Sequence, residues 1–339
     1  MSVMPAIRYE GISPKAWEHP ADRAATAALK AIPLMDQLLK RLSDMGTERR
    51  LRQILLGNAI KIGDEQLPDF WNAYRHCFAV LDWDKIPDLY ITQTPFVNAS
   101  VVGSSKPMVI LLSGLAKDFE SLEVQAVLAH ETGHVLSEHY YYTTALVLIT
   151  MVVTNVLPSS LLIGLPVRAL WYALLEWHRM AELSSDRAAA LVLGDPMPVC
   201  SSLMRMAGGA IDGMSVDAFV KQAIEYENVD DVWSSWRRFR IEIGQTHPFA
   251  VRRVRQLIAW VTSGEFDRIK AGQYVHRGQE PPMTEEFAAA TDHYADRFTN
   301  LMGKATDGVQ KVGDQISGWL RRNRSAGEGE DGDEAAGDD

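Results

Sequence analysis

Five consecutive residues, His130-Glu131-Thr132-Gly133-His134, form the pattern H-E-x-x-H. Residues i and i+4 of an α-helix lie one above the other on a single face. Two imidazoles spaced in this way can bind one Zn²⁺ ion, and Glu131 between them is placed to take a proton from a water held by the metal. The pattern predicts the active site of a metallopeptidase, provided that the segment is helical and that a third ligand exists.

The residues before the motif favour the helix that it requires. Residues 121–129 contain neither Gly nor Pro, Ser121 is a candidate N-cap, and Glu123 lies in the first turn, where a negative charge suits the helix dipole. We therefore expect one helix over residues 121–140, with its metal-binding face turned toward a cleft.

A second pattern, E-x-x-x-D, supplies a third ligand farther along the chain. The longer motif H-E-x-x-H-x-x-G-x-x-H is excluded because Ser137 and Tyr140 occupy its Gly and last His positions. Glu182 instead completes a site of two His and one Glu, which leaves a fourth position open for water. Asp186 follows one turn later on the same helical face. Its carboxylate is expected to accept the spare N–H of a ligand His and so fix its tautomer.

Alternatives remain open at both acidic positions. Glu176 and His178 compete with Glu182 as third ligand, although Glu176 has Met180, not an acid, four residues later. A role for Asp186 as an ordinary ion-pair partner, to Arg179 or Arg187, is the second alternative. We choose Glu182 as the ligand.

Four motifs in order resemble a known family, the zinc metallopeptidases related to bacterial HtpX and to the CAAX prenyl proteases, within the gluzincin group. The resemblance covers residues 98–257, and Thr132, where many members carry an apolar residue, is a mild departure. It implies a zincin-like α+β fold that is predominantly helical, with a small β-sheet, an apolar helical hairpin insertion and one Zn²⁺ per chain. The matching segments are Asn98-Ala99-Ser100 with residues 109–115, residues 126–131, Arg179-Met180-Ala181-Glu182 with Asp186, and Thr246-His247-Pro248 with Arg253.

The last of these motifs implies two further site residues. By the resemblance, His247 lies near the open side of the metal and stabilises the oxyanion of the tetrahedral intermediate, and Arg253 is an electrostatic partner in the same cleft. An imidazole on a polar loop is suited to donating a hydrogen bond to developing negative charge. The alternatives are a surface histidine for His247 and a solvated helix face for Arg253, which stands in a basic run.

The site predicts a mechanism and a way of binding substrate. Zn²⁺ polarises the scissile carbonyl, and Glu131 acts as general base and then returns the proton to the leaving amine. We expect residues 108–112 to form an edge strand above the cleft, to which a protein or peptide substrate adds by main-chain hydrogen bonds. Such binding reads backbone more than side chains, which favours an endopeptidase.

Composition points to an intracellular enzyme. The 339 residues carry a net charge of −10. Seven acidic residues and no basic ones lie in the tail 325–339, so the rest of the chain carries only −3. No nucleic-acid partner is expected from this charge. Cys77 and Cys200 alone provide neither a disulfide framework nor a four-Cys zinc site, and we expect buried thiols. The first 30 residues lack the apolar core of a signal peptide, which favours a cytoplasmic location.

An apolar stretch after the motif raises the question of a membrane. Residues 139–167 contain no Lys, Arg, Asp or Glu. Because His134 and Glu182 must meet at one metal, the chain between them would have to cross a membrane an even number of times. A hairpin that turns at residues 158–160 has two arms, and each arm is near the lower length limit for a membrane span. The hairpin, residues 139–177, either dips its 145–175 portion into the inner face of the cell membrane or packs as a buried helical pair against the protein or a second subunit.

These interpretations divide the chain into four parts. They are an N-terminal helical region (1–88), the zinc metallopeptidase core (89–265), a C-terminal helical segment with a coiled-coil-like apolar stripe (266–324) and a disordered acidic tail (325–339).

The predicted function is zinc-dependent endopeptidase activity, in membrane-associated protein quality control if the hairpin reaches a membrane. One rival is a catalytically silent zinc-binding or chaperone-like interaction protein, although the presence of Glu131 argues against it. A second rival, a prenyl-protein protease acting inside the membrane, needs more full spans than the chain offers.

Overall fold

A computed structural model describes residues 8–30, 47–155, 161–209, 211–227 and 249–280, except for the side chains of 47, 151–155 and 161–169. The helices and strands in chain order are α1 (Pro20–Lys30), α2 (Thr47–Asn58), β1 (Ile60–Ile62), α3 (Pro68–Val80), β2 (Asp88–Thr92), β3 (Ala99–Val102), β4 (Met108–Leu112), α4 (Ser113–Asp118), α5 (Ser121–Leu136), α6 (Tyr140–Asn155), α7 (Leu161–Leu193), α8 (Met197–Gly208), α9 (Val216–Glu227), α10 (Ala250–Thr262) and α11 (Glu265–Lys270).

The fold is predominantly helical with one small mixed sheet, which confirms the predicted α+β class. The strand order is β1-β2-β4-β3, with β2 parallel to β4 and the other two pairs antiparallel. Leu89 of β2 and Val109 of β4 are fully buried, as expected of apolar strands in a sheet covered by helices. Both cysteines are buried free thiols, as predicted.

The prediction that residues 108–112 form an edge strand was wrong. These residues do form a strand, β4, but it lies between β2 and β3. Strand order depends on contacts distant in sequence, and the apolar run Met108–Leu112 has the composition of an interior strand. Among the described strands, β3 is the outer one on that side of the sheet.

The metal-motif helix α5 is shorter than the predicted 121–140. Its N-cap is Glu120, not Ser121, and the Glu120 N–H donates to the Glu123 carboxylate. The helix ends at Leu136 because Glu138 takes a left-handed conformation with φ 56°. The His139 N–H then donates to the His134 carbonyl, and the Glu138 N–H to the Val135 carbonyl, which is the bond pattern of a Schellman cap.

The apolar stretch forms α6 and the first half of α7. These two helices pack together through apolar side chains such as Ile149 and Leu174, which share one buried cluster with Leu29 of α1. The connecting residues 156–160 lie outside the described part of the chain, so the hairpin stays a prediction. Within the described residues, no helix combines the length and the apolar character that a membrane crossing requires.

Several other predictions also fall outside the described residues. They concern the loop that carries His247, the apolar stripe beyond residue 280 and the acidic tail.

Glu48 at the start of α2 holds the loop between β3 and β4. Its carboxylate accepts the backbone N–H groups of Ser104, Ser105 and Lys106 at 2.7–3.1 Å. Partial burial alone would raise the pKa of Glu48, but these three N–H donors and the Ser104 hydroxyl lower it to about 2.

Replacing Glu48 with Gln is therefore expected to lower stability by about 1 kcal/mol at neutral pH, since the charge-assisted hydrogen bonds are lost. The pKa of this group is lowered by folding, so its contribution is present above the ordinary value of 4.5 and disappears as pH falls toward 2. Thermal unfolding of parent and variant at pH 7, 4 and 3 would measure this. A difference that stays constant over that range would contradict the assignment.

Candidate active site

The site forms where α5 crosses α7. The two helices approach so closely at Gly133 that an added Cβ would lie 2.8 Å from the Ala188 Cβ and 3.0 Å from the Ser185 Cα. Any larger residue at this position would push the helices apart. The lack of a side chain in the middle of the motif is thus what lets the two histidines of α5 reach the acids of α7.

Three predicted ligands come together at this crossing. His130 Nε2 lies 3.1 Å from His134 Nε2, and the Glu182 carboxylate oxygens lie 3.4 Å and 3.3 Å from these two atoms. One donor atom from each of the three residues falls within 4.8 Å of the others. All three side chains are buried. Two imidazoles and a carboxylate converging in this way fit the donor set of a catalytic zinc site.

Asp186 and Arg253 lie directly behind these ligands. The His130 Nδ1 is 3.0 Å from an Asp186 carboxylate oxygen. The Arg253 guanidinium donates to both Asp186 oxygens, at 2.8 Å and 2.6 Å, and to Glu182 at 2.8 Å. Arg253 is therefore buried and does not lie on a solvated helix face. The arginine that pairs with Asp186 is Arg253, and not Arg179 or Arg187 as the alternative had it. The guanidinium keeps the pKa of the buried Asp186 below its usual range.

Glu131 is buried beside the ligands, with 4 % of its surface exposed. Its Oε2 atom has no hydrogen-bond partner among the described residues. Burial raises the pKa of Glu131 to about 7, although the nearby His130 and Arg253 act in the opposite direction. A carboxylate with such a pKa can both take and return a proton near neutral pH.

The two histidines differ in their protonation. Burial and neighbouring imidazoles lower the pKa of His134 to about 3 despite the Glu182 carboxylate, so this ring is neutral. Burial also disfavours charge on His130, but hydrogen bonds to Asp186 and Glu182 raise its pKa to about 9. Since a metal ligand must be a neutral imidazole, metal binding at His130 would displace a proton.

The competing ligand candidates are not among the three converging donors. Glu176 is partly exposed and forms an ion pair with Arg179. His178 stacks on His134, with its Nε2 3.5 Å from Glu182.

The sequence interpretation missed one buried partner of the ligands, His139. Its Nδ1 lies 2.9 Å from the His134 Nδ1. The available signal was a third histidine, five residues after His134. In a continuous helix, as predicted over residues 121–140, that spacing would have placed His139 on a different face from His134.

A cleft lined mainly by apolar side chains opens in front of the ligands. One wall is β3 with the residues before it, and the others come from α5, α6 and α8. The lining includes Val97, Val101, Leu115, Val127, Leu146, Val147, Leu203 and Met206.

Comparisons with known proteins agree with this geometry. The model of peptidase family M48 matches residues 75–261. The chain belongs to peptidase family M48. The plastoglobule-localized metallopeptidase 48 of Arabidopsis thaliana chloroplasts is 33 % identical over 269 residues, which are 78 % of this chain and 77 % of that protein. The protease HtpX homolog 2 of Methanosarcina mazei is 24 % identical over 229 residues, covering 58 % of this chain and 74 % of that protein. No solved structure matches.

Membership in family M48 confirms the family predicted from the motifs. It also makes the chain a peptidase, a hydrolase whose substrates are proteins or peptides. A metallopeptidase family implies a metal, and the cluster of His130, His134 and Glu182 fits one.

Proposed function

We propose that the chain is a zinc-dependent metalloendopeptidase with Glu131 as its general base. The observation that carries this proposal is the buried convergence of His130, His134 and Glu182 beside a carboxylate with a raised pKa. These three residues would hold one zinc ion. When bound, zinc supplies Lewis-acid polarisation of the scissile carbonyl and acidifies water.

The residues of the chain carry the proton transfers. Glu131 takes a proton from the attacking water and delivers it to the leaving amine, which its pKa of about 7 allows near neutral pH. Asp186 fixes the tautomer and orientation of His130, and Arg253 holds Asp186 and Glu182 in register. The role of His247 in stabilising the oxyanion rests on the family resemblance and stays a prediction.

Substrate is proposed to add as an extended strand to β3, not to β4. The Asn98 carbonyl accepts the Leu112 N–H at 3.0 Å. In an antiparallel pair the hydrogen-bonded residues alternate, so the backbone groups of Asn98, Ser100 and Val102 are the ones that bond to β4. The backbone groups of Ala99 and Val101 then point the opposite way, toward the outer edge of the sheet. The Ala99 N–H donates to the Asn98 side chain, which makes Val101 the position that offers both a donor and an acceptor.

Replacing Val101 with Pro is expected to raise KM for a peptide substrate about tenfold while zinc content stays unchanged, since one outward N–H is removed without breaking the ladder to β4. Val101→Ala is the matched control, because it shortens the side chain and keeps the N–H. Steady-state kinetics of both variants would measure the effect. Equal KM values for the Pro and Ala variants would reject strand addition at this position.

Metal removal tests the proposed function as a whole. The purified chain is expected to contain one zinc per molecule and to cleave casein. Treatment with ortho-phenanthroline should abolish cleavage, whereas the non-chelating meta isomer should not, and added zinc should restore it. Zinc binding without cleavage would favour the silent zinc-binding or chaperone-like alternative. Cleavage that survives complete zinc removal would overturn the proposal.

The remaining expectations about cellular context stay predictions. They are a cytoplasmic location, contact of the apolar segment with the inner face of the cell membrane and a role in protein quality control there.

A further inference from the structure

We propose that His139 and Asp22 act as positioning residues that hold the ring of the metal ligand His134, which makes the N-terminal helix α1 part of the active centre. The inference rests on the proposed zinc site. Asp22 precedes residues 75–261, which the family model matches, so this arrangement draws on a part of the chain that the family motifs do not cover.

The turn after α5 creates the first contact of this relay. The left-handed Glu138 reverses the chain, and the His139 N–H bonds to the His134 carbonyl at 3.0 Å. The two imidazoles are brought together by this reversal, with their Nδ1 atoms 2.9 Å apart. Had α5 continued as a regular helix, residues five apart would lie on different faces.

The second contact comes from α1. The His139 Nε2 lies 3.0 Å from an Asp22 carboxylate oxygen. That same oxygen accepts the Ser184 hydroxyl of α7 at 2.5 Å, and the other oxygen accepts the Thr26 hydroxyl at 3.2 Å. His139 and Asp22 are 2 % and 1 % exposed, so this network is shielded from water. Its geometry is therefore set by protein groups that leave Asp22 little freedom to move.

The positions of the imidazole nitrogens indicate one consistent series of hydrogen bonds from His134 through His139 to Asp22. The His134 Nε2 faces His130 and Glu182 and would be the atom that binds the metal, which would leave the proton on Nδ1. His134 then donates to the unprotonated His139 Nδ1, and His139 donates from Nε2 to Asp22. A carboxylate that receives the spare N–H of a ligand histidine orients it and raises its basicity. His130 has such a carboxylate in direct contact, Asp186, whereas among the described residues His134 reaches one through His139.

Zinc affinity of the full-length chain tests the relay. Asp22→Asn and His139→Phe are expected to weaken zinc binding by about 10- to 100-fold in competition with a chromophoric chelator. Asp22→Asn keeps the shape of the side chain, so it carries the test if His139→Phe does not fold. Leu29→Ala is the matched control, since Leu29 packs α1 against α6 and α7 through an apolar side chain that takes no part in the hydrogen bonds of the relay.

The proposal is supported if the two relay variants lose affinity and Leu29→Ala, though less stable, binds zinc like the parent. It is overturned if Asp22→Asn binds zinc as tightly as the parent, or if Leu29→Ala weakens binding equally, because docking of α1 alone would then explain the effect. Failure of the parent itself to bind zinc would instead overturn the proposed function on which the relay rests.

Discussion

Replacing Glu131 with Gln is expected to leave zinc content unchanged and to lower casein cleavage by about 10²- to 10⁴-fold, the range that a positioned general base contributes. Gln has nearly the same size as Glu, so it fits the buried position, but it cannot take a proton from water. Because Glu131 Oε2 has no hydrogen-bond partner among the described residues, the substitution should disturb little of the surrounding structure. Zinc analysis and cleavage rates on the same preparations would measure both effects.

Glu138→Gln is the matched control, since it makes the same chemical change at an exposed position seven residues later. It should retain both zinc and activity. Substantial cleavage by the Glu131 variant would remove Glu131 from the role of base. Loss of zinc from that variant would also contradict the assignment, because it would give Glu131 a part in holding the metal.

Replacing Arg253 with Met is expected to lower the free energy of unfolding by about 3–5 kcal/mol, because it takes the guanidinium away from two buried carboxylates. Arg253 bonds to Asp186 and to Glu182, and all three are buried. A bound zinc ion would partly compensate the charge on Glu182, so the loss should be larger after chelation than in the zinc-loaded protein. Urea unfolding with and without chelator would measure this difference.

Arg252→Met serves as its control, because it removes a neighbouring charge from the same basic run. Arg252 is less buried than Arg253, and its loss should cost no more than about 1 kcal/mol. Equal destabilisation by both substitutions would mean that net charge, not the contact with Asp186 and Glu182, explains the effect of Arg253.

The sequence was most informative where function depends on local spacing. His130 and His134 lie one helical turn apart, as do Glu182 and Asp186, so each pair could be placed on one helical face from the period alone. The pairing of Glu182 with the two histidines joins distant parts of the chain, and the choice of Glu182 over Glu176 depended on the acid one turn later.

Features that arise from distant contacts could not be derived in this way. The order of the strands depends on such contacts, and β4 was mistaken for the edge in place of β3 although its apolar composition is that of an interior strand. The end of α5 was missed because Glu138 is neither Gly nor Asn, the usual residues in a left-handed cap. Asp22 lies more than a hundred residues before the motif in an alanine-rich helix, and nothing in its immediate sequence distinguishes it from a solvated acid.

The hydroxyl of Thr144 accepts the Gly103 N–H at 3.0 Å and lies equally close to the Gly103 carbonyl. Gly103 follows β3 directly, so α6 closes the outer edge of the sheet at that end. A peptide paired with Val101 would find the backbone N–H two residues farther on already bonded to Thr144. Under the strand-addition proposal, a bound peptide must therefore leave the edge of the sheet at this point. The position of α6 then limits how many substrate residues can pair with β3 on that side of the cleaved bond.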